Sequence, residues 1–132
     1  MPELSGELML KPQSISNEKY LSLETYRKNT LPVSTPVWFV IHKGMIHVVT
    51  REDTGKIKRL RNNPDVRIAL CTFNGKVKDK WHSGKIIFSS SEDTSIVLGL
   101  RRKKYGSMER IARFVSRKKG NFVVFSIMLN EE

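Results

Sequence analysis

The sequence predicts a mainly β fold in which six strands form an antiparallel barrel or a closed sheet. Two observations carry this prediction. Strand-like runs, with apolar and polar residues in alternation or with short apolar cores, recur along the 132 residues and are separated by turn-forming residues. Helical spacing of apolar residues is confined to one short segment and to a pair of segments before the last strand. A doubly wound fold would need strands and helices in regular alternation.

The first half of the chain contains three predicted strands. Residues 20–26 alternate in polarity, which is typical of a half-buried strand, and a turn at 27–31 leads into a second strand at 32–42. The centre of that second strand, VWFVI, is apolar on both faces, so we expect one face to meet the core and the other a partner or ligand. Lys43-Gly44 predicts a tight hairpin into a third strand at 45–50.

Three helices and three more strands follow. A helix is predicted over residues 55–61, with Thr54 as its N-cap and with Pro64 beyond its end. Strands are predicted at 66–73, 84–89 and 122–129. The predicted buried stripe of the second helix is Ile96, Val97 and Leu100, and that of the third is Met108, Ile111, Ala112 and Val115.

The composition predicts one soluble domain, residues 18–132, preceded by an N-terminal arm at 1–17 that prolines and serines interrupt. The single Cys71 cannot form an internal disulfide and predicts a buried thiol in a reducing compartment. No signal peptide or membrane-spanning run is visible, so we expect a cytoplasmic protein without membrane contact. The net charge of +11 indicates an anionic partner: nucleic acid, acidic membrane or a charged small ligand.

Several classes of chemistry lack their signatures. The three histidines, His42, His47 and His82, do not form a metal-ligand pattern with Cys71, so no metal site is predicted. No nucleophile elbow, Walker motif or dinucleotide fingerprint occurs. Nucleic-acid binding is the weaker alternative, because the basic residues come without an aromatic RNA-binding strand or a helix-turn-helix pattern.

A phosphate site is predicted where the third strand passes into the first helix. Thr50 and Thr54 provide hydroxyls, Gly55 begins the helix, and Lys56 and Arg59 lie one turn apart. Free N–H groups and the positive end of the helix dipole attract an anion there, and the two cations can close over it. Many helices begin in this way for capping alone, so the motif by itself leaves both interpretations open.

The chain resembles the pyridoxamine 5'-phosphate oxidase-like, FMN-binding split-barrel superfamily, and within it the small deazaflavin-dependent oxidoreductases. The matching segments run in order from about residue 19 to residue 129. They are KYLSLET at 19–25, TPVWFV at 35–40, TxxxTGKIKRLRNNP at 50–64, VRIALC at 66–71, GKxxxxWxxG at 75–84 and KYG at 104–106.

This resemblance implies a six-stranded split β-barrel that forms a homodimer with two cofactor sites at the subunit interface. It places the cofactor phosphate at Thr50, Thr54, Gly55 and Lys56, with Arg51 and Arg59 as nearby charges. The backbone of Thr35, Pro36, Val37 and Trp38 would run along the ring system and bond its pyrimidine edge. Trp81 and His82 match a region that approaches the cofactor from the partner subunit, or they are a packed tryptophan and an exposed histidine at the dimer seam.

The implied activity is hydride transfer between FMN or coenzyme F-420, a deazaflavin, and a small organic substrate. The flavin-binding oxidases favour Ser-Arg-Lys where this chain has Thr-Gly-Lys, so Gly55 favours the deazaflavin, as does a basic surface that could bind its acidic tail. The catalytic residues are unknown; His82 and Tyr26 are candidates only. A non-catalytic flavin carrier is the alternative.

Overall fold

The computed structural model describes residues 10–130. The strands are β1 (Leu21–Tyr26), β2 (Pro32–Val37), β3 (Phe39–His42), β4 (Met45–Arg51), β5 (Asp65–Leu70), β6 (His82–Phe88) and β7 (Phe122–Leu129). The α-helices are α1 (Gly55–Asn62), α2 (Ser91–Tyr105) and α3 (Ser107–Val115), and short 3-10 helices cover Pro12–Ile15 and Arg117–Lys119.

The seven strands form one antiparallel sheet in the order β2-β1-β5-β6-β7-β4-β3. Its two edge strands, β2 and β3, are consecutive in the chain and are separated only by Trp38. The sheet must therefore curl until its edges meet at that residue, which is the closure of a split barrel. The prediction of a mainly β, antiparallel barrel with few helices is confirmed.

The predicted strand count was wrong by one, because residues 32–42 form two strands. Val37 of β2 is paired with Leu21 of β1, whereas Phe39 of β3 is paired with Val48 of β4. The chain leaves the ladder with β1 after Val37 and enters the ladder with β4 at Phe39, so the break falls at Trp38. The Phe39 N–H, freed at this point, donates instead to the Tyr105 hydroxyl at 3.0 Å.

The barrel interior holds one large apolar core, and α1 closes one end of it. Ile57 and Leu60 of α1 are each only 1% exposed within this core. Thr54 caps the helix as predicted, since its Oγ1 accepts the Ile57 N–H at 3.3 Å. The other core side chains with no more than 2% exposure are Leu21, Leu23, Phe39, Ile46, Val48, Val66, Ile68, Phe125 and Ile127.

β1 is buried on both faces, so the prediction of a half-buried strand was wrong. Glu24, on its outer face, is only 5% exposed. The Arg67 side chain of β5 closes over it, with Nε and Nη2 at 2.7 and 3.0 Å from the two carboxylate oxygens. The alternating sequence predicted the apolar face correctly, but it could not show that an ion pair would cover the polar one.

The predicted buried stripes of α2 and α3 were partly wrong. On α2, Val97 is buried and Leu100 is half-buried, while Ile96 is exposed. On α3 the apolar stripe faces outward, with Ile111 and Val115 65% and 74% exposed.

The residue that α3 buries instead is Glu109, which is fully buried. Its carboxylate accepts bonds from Arg101 Nη1 and Arg113 Nη2, both at 2.9 Å. A buried carboxylate without these cations would be strongly destabilising, so the ion network determines which side of α3 faces inward. Within residues 10–130, no helix is both long and apolar enough to cross a membrane.

Close contact between β6 and β7 at Gly84 gives a prediction about stability. A Cβ at Gly84 would lie 2.5 Å from the Met128 carbonyl oxygen and 3.1 Å from Leu129 Cα. Gly84→Ala should therefore lower the free energy of unfolding by about 1–3 kcal/mol, as overpacking does. Gly99→Ala on α2 is the matched control, because the nearest atom is a flexible arginine nitrogen at 3.9 Å. Urea denaturation should show the control equal to or more stable than wild type; equal midpoints for the two variants would contradict the prediction.

Candidate functional site

A cavity of about 240 Å³ opens beside the junction of β2 and β3. Four of the residues predicted to bind the cofactor line it: Pro36, Val37, Trp38 and Lys56. The structure adds Val49 of β4, Arg101 of α2 and Ala112 of α3. The segment predicted to lie along a ring system and the lysine predicted to bind a phosphate therefore face the same space.

Lys56 is a half-buried cation surrounded by other cations. Burial, followed by the charges of Arg59 and Lys119, lowers the pKa of its ammonium group. The side chain of Lys56 forms no hydrogen bond or ion pair with any residue between 10 and 130. An anion bound in the cavity would restore the favourable interaction that burial removes. This is the electrostatic environment expected of an anion site.

Arg59 folds back over the start of α1. Its Nε donates to Thr25 Oγ1 at 2.7 Å, and a Cβ placed on Gly55 would lie 2.9 Å from its Nη1. Burial, together with the charge of Arg27, lowers the Arg59 pKa. The tip of Arg59 therefore lies against Gly55, and a side chain at position 55 would require Arg59 to shift.

Arg51 has a structural function in this fold. Its Nε donates to Ser116 Oγ at 3.0 Å, and its Nη1 and Nη2 donate to the carbonyls of Gly120 and Arg113 at 3.0 and 2.9 Å. Its guanidinium also lies 3.7 Å from the centre of the Phe122 ring. Nε and Nη2 therefore join β4 to the C-terminal end of α3, and Nη1 joins β4 to Gly120, just before β7.

The threonine hydroxyls predicted to line the site differ in whether the protein already supplies their hydrogen-bond partners. Thr54 Oγ1 caps α1 and also donates to the Arg51 carbonyl at 3.0 Å. Thr50 is half-buried on β4, opposite Val123 of β7. Thr35 Oγ1, on β2 next to the cavity-lining Pro36, is buried without a hydrogen-bond partner in the described part of the chain. Such an unpaired polar atom is costly unless a ligand or water supplies the partner.

The residues that line the Lys56 cavity can be compared with the chemical groups of the cofactor that the sequence resemblance implies. The cofactor carries a phosphate and a planar ring with donors and acceptors along one edge. The cavity is lined by Pro36, Val37 and Trp38 and by a lysine whose side chain is unpaired within residues 10–130. The Thr35 hydroxyl, one residue before Pro36, is also unpaired within these residues. The residues present therefore fit such a group.

Trp81 and His82 lie outside this cavity. Trp81 is half-buried, and the guanidinium carbon of Arg67 lies 4.8 Å from the centre of the Trp81 ring. His82 is buried at the start of β6, where it is paired with Ile68 of β5. Neither lines the Lys56 cavity of its own chain.

Tyr26, the other candidate for proton transfer, lines a groove of about 510 Å³ along β5 and β6. Its hydroxyl donates to Glu24 Oε1 at 2.8 Å, and burial and Glu24 raise its pKa. Arg67, also in this groove, is already paired with Glu24. The groove is larger than the Lys56 cavity, but its central charges are satisfied, so it is the weaker candidate for an anion site.

The sequence analysis missed Arg101 and Tyr105. Tyr105 stacks on Trp38 with ring centres 4.3 Å apart, and its hydroxyl oxygen lies 2.7 Å from the Lys19 carbonyl oxygen. Arg101 belongs to a run of basic residues that looks like an ordinary solvated surface, yet it is only 8% exposed. The only available signal was Glu109, eight residues later, and it pairs with Arg101 because Gly106, at φ 59°, reverses the chain.

Lys104 gives a prediction about pH dependence. Its Nζ donates to the Phe39 carbonyl at 2.9 Å, and burial lowers its pKa to about 8. Between pH 8 and the ordinary lysine value near 10.5 the unfolded chain binds the proton and the folded chain does not, so stability should rise with pH across that interval. Raising the pH from 7 to 9.5 should therefore stabilise the wild type relative to Lys104→Met. Lys103→Met, which alters an exposed neighbour, should follow the wild type; a parallel response of all three proteins in urea denaturation would refute the assignment.

No protein-family model and no curated protein matches this chain. Solved structures do match it. The heme storage protein HutZ of Vibrio cholerae has a TM-score of 0.69 at 16% identity, over 95% of this chain and 93% of that one. A Listeria innocua protein described as a pyridoxamine 5'-phosphate oxidase has a TM-score of 0.57 at 17% identity, over 96% and 94%. A FAD-binding protein of Mesorhizobium loti has a TM-score of 0.59 at 14% identity, over 89% and 84%.

The chain has the fold of the pyridoxamine 5'-phosphate oxidase-like, FMN-binding split-barrel proteins, as the sequence predicted. Proteins with this fold include flavin binders and a heme storage protein, so the fold alone does not determine the ligand. No three His, Cys, Asp or Glu side chains meet to form a metal site in the part of the chain that the structure describes.

Proposed function

We propose that this protein binds a flavin-type cofactor, FMN or coenzyme F-420, and uses it to transfer a hydride to or from a small organic substrate. The main support is the Lys56 cavity. It combines a half-buried lysine, unpaired within residues 10–130, with the segment Pro36–Trp38. Split-barrel proteins of similar structure include a FAD-binding protein and one described as a pyridoxamine 5'-phosphate oxidase.

Within this proposal, Lys56 and the N-terminus of α1 hold the phosphate. Arg59 adds positive charge from above Gly55, although its Nε is already bonded to Thr25. The backbone beside Thr35 and Trp38 orients the ring by hydrogen bonds along its pyrimidine edge. When bound, the cofactor supplies the hydride acceptor or donor. The protein provides position, partial exclusion of water and a positive potential.

The residue at position 55 favours the deazaflavin over FMN. In the related flavin-binding oxidases the corresponding residue is commonly arginine, whereas Gly55 brings no cationic side chain of its own to the phosphate. A net charge of +11 leaves many basic residues to attract the acidic tail of coenzyme F-420.

We further propose that the protein is a homodimer and that the partner completes each site. Trp81 and His82 do not line the Lys56 cavity of their own chain, which is consistent with their contributing to the partner's site. Large apolar side chains are exposed on α3 and on the β6–β7 face, and such patches are typical of protein contacts. The most exposed of these are Ile111, Phe114 and Val115 on α3, and Ile87 and Met128 on the sheet.

Titration with FMN and with coenzyme F-420, followed by the visible absorbance of each cofactor, tests the proposal. We expect saturable binding of at least one cofactor at micromolar protein, and a dimer in light scattering. Failure of both cofactors to bind would refute the proposal. A tightly bound cofactor that no panel of oxidisable or reducible small molecules turns over would favour the flavin-carrier alternative.

A further inference from the structure

Arg101 is the second cation of the Lys56 cavity. It is 8% exposed, and it lines the cavity together with Trp38, Val49 and Lys56. Among residues 10–130, Nη1 is the only guanidinium nitrogen that donates to a protein acceptor, and the acceptor is Glu109 Oε2 at 2.9 Å. Nε is buried and has no partner in the same range. The side chain thus has hydrogen-bonding capacity that the protein leaves unused.

The position of Arg101 is fixed from several sides. Glu109, which is fully buried, holds one end of the guanidinium and is itself held by Arg113. The rings of Trp38 and Phe122 lie 5.2 and 5.3 Å from the guanidinium carbon. An arginine confined in this way loses little conformational entropy when it binds a ligand, so it is a preorganised donor.

Burial lowers the pKa of Arg101 even though Glu109 opposes that shift. The charge is thus incompletely compensated by the protein, as it is at Lys56. Two undercompensated cations facing one cavity fit a ligand with two separate electron-rich groups. The phosphate can satisfy Lys56, and a second acceptor remains for Arg101.

The ring of the proposed cofactor provides that second acceptor. FMN and coenzyme F-420 have the same pyrimidine edge, which would lie against Pro36–Trp38, beside Arg101. Transfer of a hydride from a substrate C–H bond would bring two electrons and one proton to such a cofactor, which would gain one negative charge while the substrate lost one. Part of that charge would lie on the pyrimidine edge, where a nearby cation would favour the reduced form.

We propose that Arg101 hydrogen-bonds the pyrimidine edge of the cofactor and binds the reduced form more tightly than the oxidised form. This inference rests on the proposed function and identifies which residue sets the balance between the two states. Glu109 is then a positioning residue that holds Arg101 in place. A purely structural Arg101 would affect stability and leave the preference for the reduced cofactor unchanged.

The test is to measure dissociation constants for oxidised and dithionite-reduced cofactor, using FMN or coenzyme F-420 according to which the wild type binds. Arg101→Gln should reduce the preference for the reduced form by roughly tenfold or more, which lowers the bound potential by about 30 mV for two electrons. Arg101→Lys should keep part of the preference. Arg102→Gln, at an exposed neighbouring position, should keep all of it.

A second variant is needed because Arg101→Gln leaves the buried carboxylate of Glu109 with only one cation and could unfold the protein. Arg101→Met with Glu109→Leu removes both buried charges, which is often tolerated, and should show the same loss of preference. Folded variants with an unchanged ratio of the two constants would overturn the role of Arg101 while leaving the proposed function intact. A wild type that binds neither cofactor in either state would overturn both.

Discussion

Glu109→Gln should lower the free energy of unfolding by about 3–5 kcal/mol, the usual cost of removing one partner from a buried ion pair. Glu109 is fully buried and accepts one bond each from Arg101 and Arg113. The amide keeps the shape of the carboxylate but removes the one negative charge that is bonded to Arg101 within residues 10–130. That loss is a large fraction of the total stability of a domain of this size. Urea denaturation followed by tryptophan fluorescence measures it directly.

Glu92→Gln is the matched control for this change. Glu92 lies in the first turn of α2, is exposed, and contributes through the helix dipole, which is worth about 0.3–1 kcal/mol. Both substitutions replace a carboxylate with an amide. The difference between their effects on the free energy of unfolding therefore measures the contribution of the buried environment. Equal costs for the two variants would mean that the buried network contributes no more than a surface charge.

Lys56→Met should weaken cofactor binding by roughly 10- to 100-fold, since a hydrogen bond to a charged group contributes about 1.5–3 kcal/mol. The same change should make the ligand-free protein more stable. The folded pKa of Lys56 lies below its ordinary value, so the folded state holds this proton less tightly than the unfolded state does. Below the folded pKa the charged lysine therefore destabilises the fold, and this cost is relieved as the pH rises through that value.

Lys58→Met is the control, because Lys58 is exposed on the same helix two residues away. It should leave both cofactor affinity and thermal stability close to wild type. Absorbance titration and thermal melts of the ligand-free proteins test the two halves of the prediction separately. Unchanged affinity of Lys56→Met would remove Lys56 from the site, and a lower melting temperature would show that the charge is compensated in the folded protein.

The sequence predicted most of the fold because its signals are local. Two-residue alternation predicted β1, and Lys43-Gly44 predicted the hairpin, which forms with φ angles of 52° and 72° at these residues. The break at Trp38 could not be predicted in this way, because the apolar run continues through it. The strand is interrupted because the residues before Trp38 pair with β1 and those after it pair with β4. Those pairings are tertiary contacts, which the local apolar pattern does not report.

In the candidate site, too, the residues that local sequence identifies were predicted and those that depend on tertiary contacts were not. Thr54, Gly55 and Lys56 are consecutive and make a helix N-terminus that can be recognised from composition and order alone. Arg101 was missed because the sequence does not distinguish a buried arginine from an exposed one. Its partner Glu109 lies on another helix, so local spacing does not reveal the pair. The inward side of α3 was predicted wrongly for the same reason: spacing identifies an apolar stripe, but a buried ion network decided which side faces the sheet.

Trp38 also has a consequence for folding kinetics. It lies between the two edge strands of the sheet, so the rim of the barrel is complete only when β2 and β3 have both docked. Bringing the two edges together requires the β1–β5 and β4–β7 pairings, which join distant parts of the chain and are expected late in folding. A ligand bound at Pro36–Trp38 would contact both sides of the seam. Amide hydrogen exchange should then slow most in the two strands beside the seam when the ligand binds, and least in β6, the middle strand of the sheet.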